Sequence, residues 1–126
     1  MKKLLLFILT LTIQTTATIR YVKAGNPTPL APYTSWATAA DSIWKALRIS
    51  VSGDTIFAGS GSYLLDFDTL PQGVALIGSG IDSCIFNLHP LSHLNKFSLV
   101  VYDSSLISNI QFRGFNYYDG FGIFGR

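Results

Sequence analysis

Cysteine, glutamate and clustered positive charge are all scarce in this 126-residue chain. The single cysteine, Cys84, excludes an intramolecular disulfide, and we interpret it as a small buried apolar residue. All seven acidic residues are aspartate, a residue type that favours turns and caps over helix interiors. The nine lysines and arginines are scattered, so the basic footprint of a nucleic-acid-binding protein is missing and no nucleic-acid partner is expected.

Recognisable catalytic and cofactor motifs are also missing. The sequence has no Gly-x-Ser-x-Gly elbow and no phosphate-loop lysine. Gly78-Ser79-Gly80 follows an apolar run, but Ser83 stands where a dinucleotide-binding loop has its third glycine, and no helix pattern comes after it. We expect no catalytic residue, no cofactor and no metal site within residues 1–126, and this leaves open whether the protein is an enzyme.

The N-terminus has the three-part layout of a secretory signal peptide. Lys2 and Lys3 precede an apolar segment over residues 4–13, and small polar residues ending at Ala17 come after it. That segment of about ten residues is too short for a transmembrane helix, which needs about 20. We predict a signal peptide over residues 1–17 and no transmembrane segment after its removal. The protein is expected to be secreted or held at the cell surface.

One amphipathic helix is predicted early in the remaining chain. Trp36, Ala40, Ile43 and Leu47 recur at spacings of four, three and four residues, which places them on one face of a helix. We predict that this helix follows an N-cap at Ser35 and has Thr38 to Ser50 as its main segment, with Trp36, Ile43 and Leu47 as a structural cap over the end of the β structure. The alternative is that the helix is the crossover of a βαβ unit.

The chain after Gly53 alternates short β-rich runs with small turn residues. Several runs are apolar throughout, which is typical of parallel strands buried on both faces. Strands are predicted for Thr55 to Ala58, Tyr63 to Thr69, Val74 to Ile77, Cys84 to Leu88, Phe97 to Tyr102, Leu106 to Phe112 and Phe121 to Phe124.

An internal repeat is indicated when the chain is shifted by 25 residues. Val74-Ala75-Leu76 then aligns with Leu99-Val100-Val101, and Ile85 aligns with Ile110. The run over residues 120–124 would open another repeat that is not finished at Arg126. We therefore expect an N-terminal piece of a longer protein.

Six segments stand in order along the chain: residues 21–25, 35–40, 53–56, 61–63, 73–80 and Ile85. Together they resemble the N-terminal region of right-handed parallel β-helix proteins of the pectin lyase-like superfamily. The resemblance implies an all-β fold, the start of a right-handed parallel β-helix solenoid with one N-terminal capping α-helix, over residues 18–126. It implies an extracellular role with carbohydrate but no particular activity, because the superfamily includes lyases, esterases, hydrolases and adhesins.

Three groups of side chains are candidates for ligand contact. Tyr117 and Tyr118 could offer a flat aromatic surface to a glycan. Asp66 and Asp68 would share one face of a strand, as a carboxylate pair for calcium or acid–base work or as an ordinary solvated face. The histidines at positions 89 and 93 are four residues apart, but no third metal ligand is evident.

The leading functional hypothesis is a noncatalytic segment of a secreted or cell-surface protein that serves polysaccharide contact or adhesion. The alternative is the N-terminal lead-in of an extracellular carbohydrate-active enzyme, similar to a polysaccharide lyase or pectinesterase, with its catalytic residues beyond Arg126. A third hypothesis, a small α/β ligand-binding domain, predicts a helix after Ile77.

Overall fold

The computed structural model describes residues 16–88 and 99–114, and the backbone of residues 123–125. Its elements comprise one helix and ten short strands. In chain order they are β1 (Ile19–Val22), α1 (Ile43–Leu47), β2 (Thr55–Ala58), β3 (Gly61–Leu65), β4 (Asp68–Leu70), β5 (Ala75–Gly78), β6 (Cys84–Leu88), β7 (Leu99–Val101), β8 (Leu106–Ser108), β9 (Gln111–Arg113) and β10 (Ile123–Gly125).

The strands are distributed over three small sheets. The first sheet has the order β1-β2-β5-β8, the second β3-β6-β9, and the third β4-β7-β10. Each of the seven strand pairs is parallel. Because β2, β3 and β4 enter the first, second and third sheet in turn, and β5, β6 and β7 do the same, neighbouring strands within a sheet are distant in sequence.

One hydrophobic core lies between the sheets and the helix. Alternate residues of each strand point inward, as strand geometry requires, so that Ile56 and Leu76 are buried from the first sheet. Phe86 is buried from the second sheet and Leu70 from the third. The cysteine at position 84 is also fully buried, and burial raises the pKa of its thiol.

The predicted fold class, an all-β right-handed parallel β-helix, is wrong for the part of the chain that the structure describes. These residues form three separate small sheets beside a short helix and do not close into a solenoid, an arrangement nearer to a mixed α/β one. The reason is that short apolar runs between turns specify buried parallel strands, but they do not specify how the resulting sheets close on one another.

The predicted 25-residue repeat also has the wrong register. The repeat aligns Val74-Ala75-Leu76 with Leu99–Val101, but Leu76 pairs instead with Ile107, and Leu99–Val101 pairs with β4. The spacing between paired residues varies: Thr55 pairs with Ala75, twenty residues on, whereas Ala75 pairs with Leu106, thirty-one residues on. Connections of different length separate the strands, and loop length costs little free energy, so no constant period is required.

The helix is shorter than predicted and begins later. Ala40 is held extended beside β1, because its N–H donates to the Tyr21 carbonyl and its carbonyl accepts from the Lys23 N–H. The chain can therefore turn into a helix only after that point, and Ser42 is the N-cap. The α1 helix contacts β1, β2, β3 and β4.

Because α1 begins at Ile43, the three residues of the predicted cap do not all lie on the helix. Ile43 and Leu47 are buried in the core on α1. Trp36 lies outside the helix and is 47% exposed, with its ring packed against Tyr21 at a centroid distance of 4.6 Å and against the backbone at Gly59. Of the three predicted cap residues, Ile43 and Leu47 cover the core from the helix, and Ala46 is buried beside them.

The segment after β5 is a turn and not a helix. A helix after Ile77 is expected for a small α/β ligand-binding domain, but residues 79–83 turn directly into β6. Among the residues that the structure describes, no helix is both long and apolar enough to span a membrane.

Candidate binding site around Trp44

Trp44 is the one aromatic residue of α1, and its side chain is exposed. Its neighbours Ile43 and Leu47 are buried, and because successive helical residues are about 100° apart, Trp44 is turned away from the core. Its side chain is 43% exposed. The helix therefore presents an indole ring to solvent from a backbone that is fixed by core packing.

Two adjoining clefts meet at Trp44, between α1 and the corner that joins β3 to β4. The first has a volume of about 440 Å³ and the second about 560 Å³. Trp44, Asp66 and Asp68 border both of them. The first is also lined by Asp41, Ser42, Ile43, Ser62, Tyr63 and Leu64, and the second by Leu47, Arg48, Ser50, Phe67, Thr69 and Pro71.

Asp66 and Asp68 reach these clefts because the chain bends between them. Phe67 has a φ of 58°, in the left-handed region, so one strand ends at Leu65 and the next begins at Asp68. The predicted single strand over Tyr63 to Thr69 is therefore two strands. The Asp66 N–H donates to the Asp68 carboxylate at 3.1 Å, which fixes the two residues relative to one another.

The environment of Asp68 disfavours its charged form. Burial raises the pKa of this carboxyl, and the negative charge of Asp66 raises it further, while the hydrogen bond from the Asp66 N–H partly offsets both effects. An acidic pair in which one carboxyl is harder to ionise thus lies beside the exposed indole.

We expect the Asp66→Asn substitution to lower the pKa of Asp68. The substitution removes the neighbouring negative charge and leaves the backbone hydrogen bond in place, so the ionised form of Asp68 becomes easier to reach. Carboxyl carbon NMR titration of Asp68 measures the change. The exposed Asp82→Asn substitution is the control, and a pKa of Asp68 that rises or stays the same in Asp66→Asn would contradict this account of the corner.

The other side of Trp44 is basic. The Lys45 ammonium lies 5.7 Å and the Arg48 guanidinium 5.4 Å from the centroid of the ring. Both cations, with Tyr33 and Ile49, line a third cleft of about 270 Å³ that Trp44 also borders. A ligand at Trp44 would therefore meet both carboxylates and cations, since Arg48 lines the second cleft as well as the third.

One of these cations is already paired within the protein. Lys45 Nζ lies 2.9 Å from a carboxylate oxygen of Asp41, an ion pair with both side chains about one-third exposed. The hydrogen bond from Lys45 lowers the pKa of Asp41. Arg48 is therefore the cation on α1 whose guanidinium contacts the indole without a salt bridge to a described carboxylate.

Only some of the side chains proposed from the sequence fall within the residues that the structure describes. The glycan-contact candidates Tyr117 and Tyr118 and the two histidines lie outside the described residues. Trp36 is on another surface, against the outer side of the first sheet. Of the candidates within the described residues, the structure brings the Asp66 and Asp68 pair to the clefts, and the cap residues Ile43 and Leu47 also line them.

The exposure of Trp44 is not among the sequence-based predictions. A signal is nevertheless present, because Trp44 directly follows Ile43 and falls about 100° away from the apolar face that Ile43 and Leu47 define. Among the described side chains, no group of three or more His, Cys, Asp or Glu residues is arranged to hold a metal ion.

Comparison of the chain with protein-family models, with curated proteins and with solved structures finds no match. The resemblance to the pectin lyase-like superfamily therefore stays a prediction, and the support for a function comes from the site itself.

Proposed function

We propose that this chain is an exported, noncatalytic module that contacts polysaccharide through the clefts around Trp44. The observation that carries the proposal is the exposed indole of Trp44, which borders all three clefts from a helix that is anchored in the core. The export part rests on the leader pattern over residues 1–17.

The indole suits the apolar face of a sugar ring. A pyranose exposes several C–H groups on one face, and an aromatic ring with a negative π face attracts them as it attracts cations. Burial of this apolar area contributes a favourable free energy of about 25 cal/mol per Å². Because α1 is fixed by Ile43 and Leu47, the ring loses little freedom when a ligand packs against it.

The polar lining suits sugar hydroxyl groups. The carboxylates of Asp66 and Asp68 are hydrogen-bond acceptors, and hydrogen bonds to charged groups are stronger than those between neutral groups. Ser62 and Thr69 add hydroxyls that both donate and accept. A polyhydroxylated chain lying across Trp44 would find acceptors in both of the larger clefts.

We expect the Trp44→Ala substitution to weaken polysaccharide binding about tenfold or more, because tryptophan at the centre of a contact is among the costliest residues to truncate. The affinity is measured by titrating the chain with soluble plant and bacterial polysaccharides while the indole N–H signals are monitored in NMR spectra. The chain has two tryptophans, so the proposal predicts that the Trp44 signal shifts while the Trp36 signal stays in place.

Tyr102→Ala is the matched control for loss of an exposed aromatic, because this residue is similarly exposed and lines none of the three clefts. Binding that is equal in Trp44→Ala and in the native chain, or a shift confined to Trp36, would refute the site. Release of new reducing ends or unsaturated sugars would refute the noncatalytic part and favour the carbohydrate-active enzyme.

A further inference from the structure

Among the described residues, Thr18 is the first whose backbone forms hydrogen bonds with a distant part of the chain. Thr16 and Ala17 are exposed, whereas Thr18 is half-buried and its carbonyl accepts a hydrogen bond from the Thr55 N–H at 3.0 Å. The Thr18 nitrogen donates to Oδ1 of Asp54 at 2.9 Å. The first residue held by the first sheet is thus held by a carboxylate as well.

Asp54 is a strong anchor for that nitrogen because it is almost completely buried. Its side chain is 1% exposed, and its other oxygen, Oδ2, accepts hydrogen bonds from the Arg20 guanidinium and from the Val51 N–H at 3.0 Å each. Thr18 is the donor that the structure places on Oδ1. The two carboxylate oxygens of Asp54 therefore accept hydrogen bonds from different donors.

The sequence places the end of the signal peptide at the same bond. Small residues at positions 15 and 17 match the recognition pattern of a signal peptidase, which predicts cleavage after Ala17. These two observations are independent. The export pattern is a local feature of the leader sequence, whereas the hydrogen bond between Thr18 and Asp54 joins residues 36 positions apart. They coincide at the Ala17–Thr18 bond.

We propose that a signal peptidase hydrolyses the Ala17–Thr18 peptide bond and that the α-ammonium group released on Thr18 forms a partly buried ion pair with Asp54. The inference rests on the export part of the proposed function and not on polysaccharide binding. In this hydrolysis the C–N bond breaks, and water supplies a hydroxyl to the Ala17 carbonyl carbon and a hydrogen to the Thr18 nitrogen. The new carboxyl group then ionises, and the proton it releases converts the Thr18 amine to the ammonium.

Cleavage then strengthens a contact that already exists. Before cleavage Thr18 offers the Asp54 carboxylate a neutral amide N–H; afterwards it offers an ammonium, so a direct attraction between opposite charges is added to the hydrogen bond. The charged groups at this position are Asp54 itself and Arg20 on the far oxygen. Removal of the leader would therefore stabilise the chain in the compartment where it works.

The position of the cut is tested by exporting the full chain from a secreting bacterial host and determining the N-terminus of the released protein by mass spectrometry. The expected protein begins at Thr18. A released protein with another N-terminus would overturn the inference and leave export intact, whereas a chain that is not released would overturn both export and the inference.

The ion pair is tested by comparing two chains freed from a cleavable fusion, one beginning at Thr18 and one at Thr16. They differ by two exposed residues, so a purely structural role of Thr18 predicts equal stability. The inference predicts that the chain beginning at Thr18 unfolds at neutral pH with an equilibrium constant about tenfold smaller.

The pH dependence identifies the group responsible. A free α-amino group has a pKa of about 7.7–8.0, and a neighbouring carboxylate raises it. The extra stability should therefore be complete below about pH 7.5 and should disappear as the pH rises through the raised pKa of the ammonium. Equal stability of the two chains at pH 7, or a difference that persists unchanged at pH 11, would overturn the ion pair whatever the polysaccharide titrations show.

Discussion

Replacement of Asp54 by alanine is expected to lower the free energy of unfolding by about 3–5 kcal/mol, the usual cost of removing one partner from a buried ion pair. The Arg20 side chain is buried and would lose its carboxylate, while the N–H groups of Thr18 and Val51 would lose their acceptor. Urea denaturation followed by tryptophan fluorescence measures the loss.

Asp41→Ala is the matched control for this substitution. It also removes an aspartate from an ion pair, but Asp41 and Lys45 are each about one-third exposed, so its cost should be about 1 kcal/mol or less. Equal losses in Asp41→Ala and Asp54→Ala would show that burial of the Arg20 pair contributes nothing.

The same carboxylate should contribute to acid sensitivity. Burial alone would raise the pKa of Asp54, but hydrogen bonds from the Val51 and Thr18 N–H groups and the interaction with Arg20 outweigh burial and lower it. A carboxyl whose pKa is lowered on folding contributes stability above its unfolded pKa of about 3.9, and that stability is lost as the pH falls through the folded pKa. The difference in the free energy of unfolding between the native chain and Asp54→Ala should therefore become smaller below about pH 4.

The strands were predictable from the sequence to the extent that local pattern defines them. The predicted bounds of Thr55–Ala58 and Cys84–Leu88 agree with β2 and β6 residue for residue. Both are short apolar runs bounded by small turn residues, so the local sequence predicts where each strand begins and ends. The assignment of strands to sheets and the closure of the sheets were not predictable, because they depend on contacts between residues 20 to 36 positions apart.

Two predicted strands are each divided into two, and for different reasons. Leu106 to Phe112 breaks at Asn109, which has a φ of 57°, and asparagine is a residue type that adopts this conformation readily, so a signal was present. Tyr63 to Thr69 breaks at Phe67, where an aromatic residue takes a φ of 58° without any such signal. The second break creates the corner that carries Asp66 and Asp68.

The binding site was less predictable than the strands because it depends on that corner. Exposure of Trp44 follows from its position beside Ile43 once the helix is known. The clefts also need the β3–β4 corner to lie against α1, and the start of α1 is set by the pairing of Ala40 with β1. Neither is a local property of the sequence.

Replacement of Phe86 by alanine is expected to lower the free energy of unfolding by about 3–5 kcal/mol, the range for a fully buried phenylalanine. Phe86 is the middle ring of a stack that runs through the second sheet, with centroids 5.4 Å from Tyr63 and 5.7 Å from Phe112. Its removal would leave a cavity in the core and remove both edge-to-face contacts. Thermal and urea unfolding followed by circular dichroism measures the effect.

Phe57→Ala provides the comparison that separates burial from ring size. Phe57 lies on the first sheet, is half-buried, and stacks with Tyr21 at 6.4 Å on the outer side, so its loss opens no core cavity. Its replacement should cost about 1 kcal/mol. If the two substitutions cost the same, the alternation that turns Phe86 inward and Phe57 outward is wrong, and with it the placement of α1, because the buried face of the helix packs against the same core.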